Sequence, residues 1–131
     1  MANFTHINLV DDVEDMAPRF GYDAESRFAR NALALEKSGL SLFRLKPGFR
    51  FPFGHTHSEQ EEVYVVLQGT ARIKVEDEVV ELRPYDALRV GPGTPRGMEG
   101  GPEGAELLAF GAPNTENKDA EMLPDWWRED G

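Results

Sequence analysis

The sequence contains no cysteine. That excludes disulfides, thiolate nucleophiles and thiolate metal ligands together, so a metal would have to rest on histidine, carboxylate or amide oxygen. A chain without thiols suits a reducing compartment, and the location expected is cytoplasmic. Long apolar runs are missing too. No stretch could cross a bilayer as a helix, and Met1 to Val10 lacks the basic flank and apolar run of a secretion signal. Asn3-Phe4-Thr5 matches a glycosylation acceptor, but without such a signal it reads as a chance tripeptide. Basic residues are few, 14 against 24 acidic, for a formal net charge of −10. Such a surface repels phosphate backbones and anionic lipid heads, which sets nucleic acid and membrane aside as partners. The acidity itself serves solubility. A Gly-x-Ser-x-Gly elbow is absent, and Gly91-Pro-Gly93 lacks the spacing of a dinucleotide fingerprint.

What is present fits one domain over residues 1–131, and a chain of this length can bury a core without covalent staples. Between Ile7 and Phe20, Asp11-Asp12 before Val13 and Met16 predicts a helical turn or irregular arm, ended by Pro18 and Gly21. Arg27 to Leu45 reads two ways. Phe28, Ala32 and Leu35 suit a helix, whereas Glu36-Lys37-Ser38-Gly39 looks like a hairpin loop between two strands. Beyond it the β signal dominates. Val63 to Leu67 is a β-branched and aromatic run, apolar on both faces and stopped by Gln68-Gly69. Ala71, Ile73 and Val75 alternate with Arg72, Lys74 and Glu76, and Glu76-Asp77-Glu78 turns the chain into Val79 to Leu82. Strands at Ala87 to Val90 and Leu107 to Phe110 follow, separated by the stiff loop Gly91-Pro92-Gly93-Thr94-Pro95. The segment from Ala112 to Gly131 reads as an acidic, loop-like tail. Many short strands with Gly/Pro turns predict an all-β sandwich or barrel.

The chemistry concentrates in one segment. His55 and His57, two of only three histidines, are separated by one residue and so share a face of an extended chain. Glu62, at the head of the apolar strand, can turn back toward them, and three such donors can hold a divalent cation. The plainer reading of H-x-H alone is a pair of exposed loop histidines beside a charge run. Tyr64 and Val66 share the parity of Glu62 and should line the interior with it. Glu59 and Glu61 read as a solvated loop, and Gln60 as a neighbour of the site. His6, Arg44, Arg50, Arg72 and Arg89 are expected at the surface, and Trp126 and Trp127 as an anchor for the tail.

Gly48, His55, His57, Glu62 and Gly69 together resemble the first motif of the cupin family, with one extra residue between Gly48 and His55. The likeness covers roughly residues 40 to 110. It implies a double-stranded β-helix, the cupin jelly-roll barrel, with its core at about 27–111, an N-terminal arm at 1–26 and a C-terminal tail at 112–131. It also turns Arg27 to Leu45 into strands. Pro84 to Arg96 follows the outline of the second motif with departures: Tyr85 stands where a Gly is usual, Gly91 where a Pro is common, and Arg96 where a fourth metal ligand, a His, is expected. Arginine stays protonated and cannot ligate a metal.

Two expectations follow. Either His55, His57 and Glu62 hold Zn, Mn, Fe or Ni with an open shell, or the metal has been lost and Arg96 makes the pocket an anion clamp, with Glu62 as its alternative acceptor. The ligand pocket is expected to include Arg96, Tyr64, Gln60 and Val66. A small organic ligand, anionic if the clamp operates, is the expected partner, without an organic cofactor. The resemblance leaves open whether the barrel is an enzyme or a sensor. Barrels of this size commonly pair, and a homodimer is expected.

Overall fold

The computed structural model describes residues 2–128. Eight strands form one curled sheet: β1 (Ala24–Phe28), β2 (Gly39–Leu45), β3 (Gly54–His57), β4 (Glu61–Val75), β5 (Glu78–Leu82), β6 (Ala87–Val90), β7 (Arg96–Ala112) and β8 (Ala120–Leu123). The sheet order runs β1-β2-β7-β3-β8, and β4 leaves this path to pair with β5, β6 and β7. This is the all-β jelly-roll barrel, the double-stranded β-helix, that the motifs implied. No helix among the described residues is long and apolar enough to cross a membrane.

The 17-residue β7 ties the barrel together. Its second half pairs on one edge with β2, Gly39 to Leu45 against Gly111 to Ala105, and on the other with the first half of β4. Its first half pairs Arg96 to Gly100 with Val75 to Ala71 of β4 and sets Arg96 opposite His55 of β3. Inward-facing Tyr64, Val66, Ile73, Leu107 and Ala109 meet from these strands as the core, with Val66, Ile73 and Leu107 fully sealed from solvent. Apolar burial of this kind contributes about 2 kcal/mol per large side chain.

Several elements differ from their sequence reading. The one helical turn is a 3-10 helix at Ala17–Phe20, and Pro18 opens rather than ends it, because a proline ring is preset for the first helical positions. Gly21, left-handed at φ 70°, closes it. Arg27 to Leu45 is a strand pair, but its connection spans residues 29–38. That connection holds local turns, Leu33 N–H to Ala29 O and Leu35 N–H to Arg30 O, so the helical propensity of its alanines and leucines is expressed as turns. Gln68-Gly69 does not stop β4. The ladder to β7 shifts register on either side of this pair, and Gly69 takes φ 71°, so the strand bends through a bulge and continues. β7 is far longer than Leu107 to Phe110, and the tail contains a strand, β8.

Candidate functional site

Strand β3 lies between two partners: β8 along its whole length and β7 at His55 opposite Arg96. Extended geometry places both imidazoles on one side, with ring centroids 5.1 Å apart and planes at 89°. Glu62 enters beside them from the head of β4, held between Val90 of β6 and Gly111 of β7. One ligand atom from each of His55, His57 and Glu62 lies within 4.8 Å of the others, so the three could hold a metal ion.

The carboxylate of Glu62 is already engaged. Its Oε1 accepts the Tyr64 hydroxyl and, at 3.0 Å, an Arg96 Nη2–H, while His55 Nε2 lies 3.6 Å away. Arg96 is 1% exposed, and it also donates from Nε to the Tyr64 oxygen at 3.2 Å and from Nη1 to Thr94 O at 2.9 Å. Burial resists ionisation of Glu62, but His55, the Tyr64 hydroxyl and the Arg96 charge outweigh it and hold its pKa at about 2. Burial, then the Glu62 charge, pushes the Tyr64 phenol up, so it stays a donor. Arg96 is raised as well: burial works against its charge, and contacts with Tyr64 and Glu62 prevail.

His57, 3% exposed, turns Nδ1 toward Asp119 Oδ1 at 3.0 Å. Asp119 belongs to the tail just before β8 and accepts three further bonds: from the Thr115 hydroxyl at 2.5 Å and from the backbone N–H groups of Gln60 and Glu59 at 3.0 and 3.1 Å. Burial opposes its charge, yet these donors and His57 depress its pKa strongly. A carboxylate accepts only, so Nδ1 of His57 carries the proton and Nε2 is left on the opposite side of the ring. Sequence reasoning missed Asp119. Its partner is 62 residues away, and an Asp in an acidic tail gives no local signal.

The tail is a wall of the site. Trp126 packs where side chains would stand at Gly54 and Gly97: a Cβ at Gly54 would sit 2.5 Å from its Cγ, and one at Gly97 would collide with Cδ1. Its Nε1 donates to Lys74 O, while Trp127 donates to Phe51 O and lies under the Arg50 guanidinium at 4.2 Å. The anchoring role expected for both tryptophans is what these contacts describe.

His55, His57, Glu62, Tyr64 and Arg96 line a cavity of about 690 Å³. Gln60, 7% exposed, lines it while donating to Pro113 O. Its carboxamide fills the space beside Gly111. Tyr64, His55, His57, Glu62 and Arg96 reach it too, whereas Val66 packs in the hydrophobic core. The walls are aromatic: Tyr22 lies 5.6 Å from Phe51, which meets Phe43 edge-on at 5.9 Å, and Phe28 caps Phe43 at the same distance. Phe20 and Phe28 are 63% and 50% exposed and mark the mouth. Of the arginines expected at the surface, Arg44, Arg50, Arg72 and Arg89 each pair with a glutamate.

The cupin domain model matches residues 41–111. A search of curated proteins finds no sequence match. Among solved structures, a cupin protein from Bacteroides fragilis is 24% identical, with TM-score 0.71 and 88% of each chain covered. A sugar phosphate isomerase of the cupin superfamily from Silicibacter pomeroyi is 25% identical, with TM-score 0.61 over 70% of this chain and 60% of that one. The Streptomyces nucleoside dehydratase Pac13 is 14% identical, with TM-score 0.71 over 95% of this chain and 92% of its own.

Proposed function

Because the chain belongs to the cupin family, whose fold carries many unrelated activities, we propose its function from the cavity itself: the barrel binds a small organic molecule. The observation that supports this reading is the convergence of five polar side chains, His55, His57, Glu62, Tyr64 and Arg96, in a cavity of about 690 Å³ that Phe20, Tyr22, Phe28, Phe43, Phe51 and Phe53 also line. A volume of that size suits a metabolite, and a few polar groups in an apolar pocket are the usual means of orienting one. Arg96 no longer argues for an anion, since its charge is spent on Glu62. The relatives offer both chemistries as probes, because Pac13 was solved with uridine and the Silicibacter protein is a sugar phosphate isomerase. Amide chemical shifts recorded during titration with a metabolite panel including uridine and glucose 6-phosphate test the proposal. Shifts confined to cavity-lining strands support it, and no saturable shift from any member defeats it.

A second reading, a metal-dependent enzyme, draws on the proximity of His55, His57 and Glu62 and on the carboxylate behind His57. Zn, Mn, Fe and Ni are all compatible with this donor set. Number and proximity fit a metal. Charge does not, because Glu62 Oε1, the oxygen nearest His55, already accepts two donors, one of them a buried cation. The reading stands second for that reason.

The same chain forms a homodimer in this proposal, consistent with a cytoplasmic protein. Leu40, Phe110 and Val63 align across β2, β7 and β4 on the outer face, with Phe110 49% exposed, and such a self-complementary apolar stripe suits a second copy.

A further inference from the structure

Resting on the reading of the barrel as a binding pocket, we infer that its ligand carries an anionic oxygen group, a carboxylate or phosphate, which Arg30 takes at the end of the cavity formed by the β1–β2 connection. Arg30 is half-buried and lines the cavity. Its one side-chain hydrogen bond runs from Nε to Oδ1 of the neighbouring Asn31 at 3.5 Å, and among the described residues no carboxylate pairs with it. Every other arginine from Arg19 to Arg96 reaches an aspartate or glutamate. On a chain with 24 acidic and 14 basic residues, an arginine without an acid is the exception. Both terminal nitrogens of its fork are left to donate.

The backbone beneath this side chain is anchored. Ala29 N–H donates to Leu40 O of β2, Leu33 N–H to Ala29 O, and Leu35 N–H to the carbonyl of Arg30 itself, so the side chain springs from a hydrogen-bonded turn. Asn114 of the tail fastens to the same connection, with its N–H on Lys37 O and its Nδ2 on Leu35 O. Asn31 and Asn117, both exposed, also line the cavity, and their carboxamides can donate to an anion without adding charge.

The distribution of charge supports the same reading. Glu62 is the one acidic residue among those that line the cavity, and Arg96 already meets it at 3.0 Å. Arg30 is therefore the cavity cation without a counter-charge. The net charge of −10 repels anions at long range, but salt screens that field beyond about 8 Å. A guanidinium meets a carboxylate or phosphate at about 2.8 Å, well inside that length. The local contact outweighs the distant field.

The test is isothermal titration calorimetry of the full chain in EDTA-containing buffer. Naphthalene-2-carboxylate, 2-naphthyl phosphate and the neutral naphthalene-2-carboxamide serve as probes, their ring chosen for the wall of Phe28, Phe43 and Phe51. At least one anion should bind about tenfold more tightly than the carboxamide, and which anion does so tells carboxylate from phosphate. Arg30→Gln should erase that preference and leave carboxamide binding unchanged. Arg89→Gln, at an arginine paired with Glu61 on the surface, should leave all three affinities as they are. A carboxamide bound as tightly as both anions, a preference that survives Arg30→Gln, or one that Arg89→Gln erases equally overturns the inference and leaves the barrel a binding pocket. Failure of every probe to bind overturns both.

Discussion

Arg96 and His55 stand directly opposite each other across the β3–β7 ladder, and Glu62 lies within reach of both: 3.0 Å from the guanidinium and 3.6 Å from the imidazole. The position at which the family pattern places a metal-binding His therefore holds a cation that competes for the same carboxylate.

Arg96→His should restore a four-donor set and free Glu62. Zn²⁺ titrated calorimetrically should bind the variant at least about tenfold more tightly than the parent. Equal affinities would show that Arg96 does not govern metal access.

Glu62→Ala should be costly. It leaves a guanidinium that is 1% exposed without its counter-charge, a loss of about 3 kcal/mol in urea unfolding. A cost below about 1 kcal/mol would mean that the cation escapes to solvent.

Acid should unfold the protein over a defined window. Glu62 is held at about 2, below its ordinary 4.5, and Asp119 is depressed as well. A group lowered in the folded state contributes stability that is fully present above its unfolded pKa and is lost as pH falls toward the folded one. Stability should thus be level from pH 7 to 5 and decline between about pH 4.5 and 2, by about 3 kcal/mol for Glu62 alone. Asp119→Asn should flatten part of that slope. Denaturant midpoints across this range check the expectation, and an unchanged slope in Asp119→Asn contradicts it.

Trp126→Ala should empty the space above Gly54 and Gly97 and release β8 from the barrel. We expect about 2 kcal/mol of destabilisation for this half-buried ring, and faster amide exchange at His57 and Ala120 than in the parent. Unaltered exchange there would show that the tail docks without its tryptophan.

Light scattering at micromolar concentration should return twice the mass of the 14.7 kDa chain. Phe110→Lys should return a single mass, and a monomeric parent would remove the outer stripe from consideration.

Legibility followed the period of the side chains. Tyr64 and Val66 share the parity of Glu62, so their inward facing could be read from it although the run is apolar on both faces, and the H-x-H parity placed both imidazoles on one side. The first half of β7 could not be read this way. Gly97, Gly100, Gly101, Pro102 and Gly104 erase the alternation, and at two of these positions the reason is a distant contact: Trp126 crowds Gly97, and Lys46 O lies 3.0 Å from where a Cβ would stand at Gly100. Strand β8 was hidden for a similar reason. Ala120–Leu123 is stabilised by pairing with β3 more than sixty residues earlier, which no local propensity encodes.

The place of β7 in the chain governs the order of events during synthesis. A ribosome releases β1 to β6 before any residue of the strand to which β2, β3 and β4 all hydrogen-bond. Until then only the β1–β2, β4–β5 and β4–β6 pairings can form, and the edges of β2 and β4 that will meet β7 wait unpaired. Closure is therefore late and rests on contacts distant in sequence, the conditions under which β proteins fold slowly and nascent chains depend on chaperones. His57 meets Asp119 later still, so the pocket is the last part of the molecule to come into being.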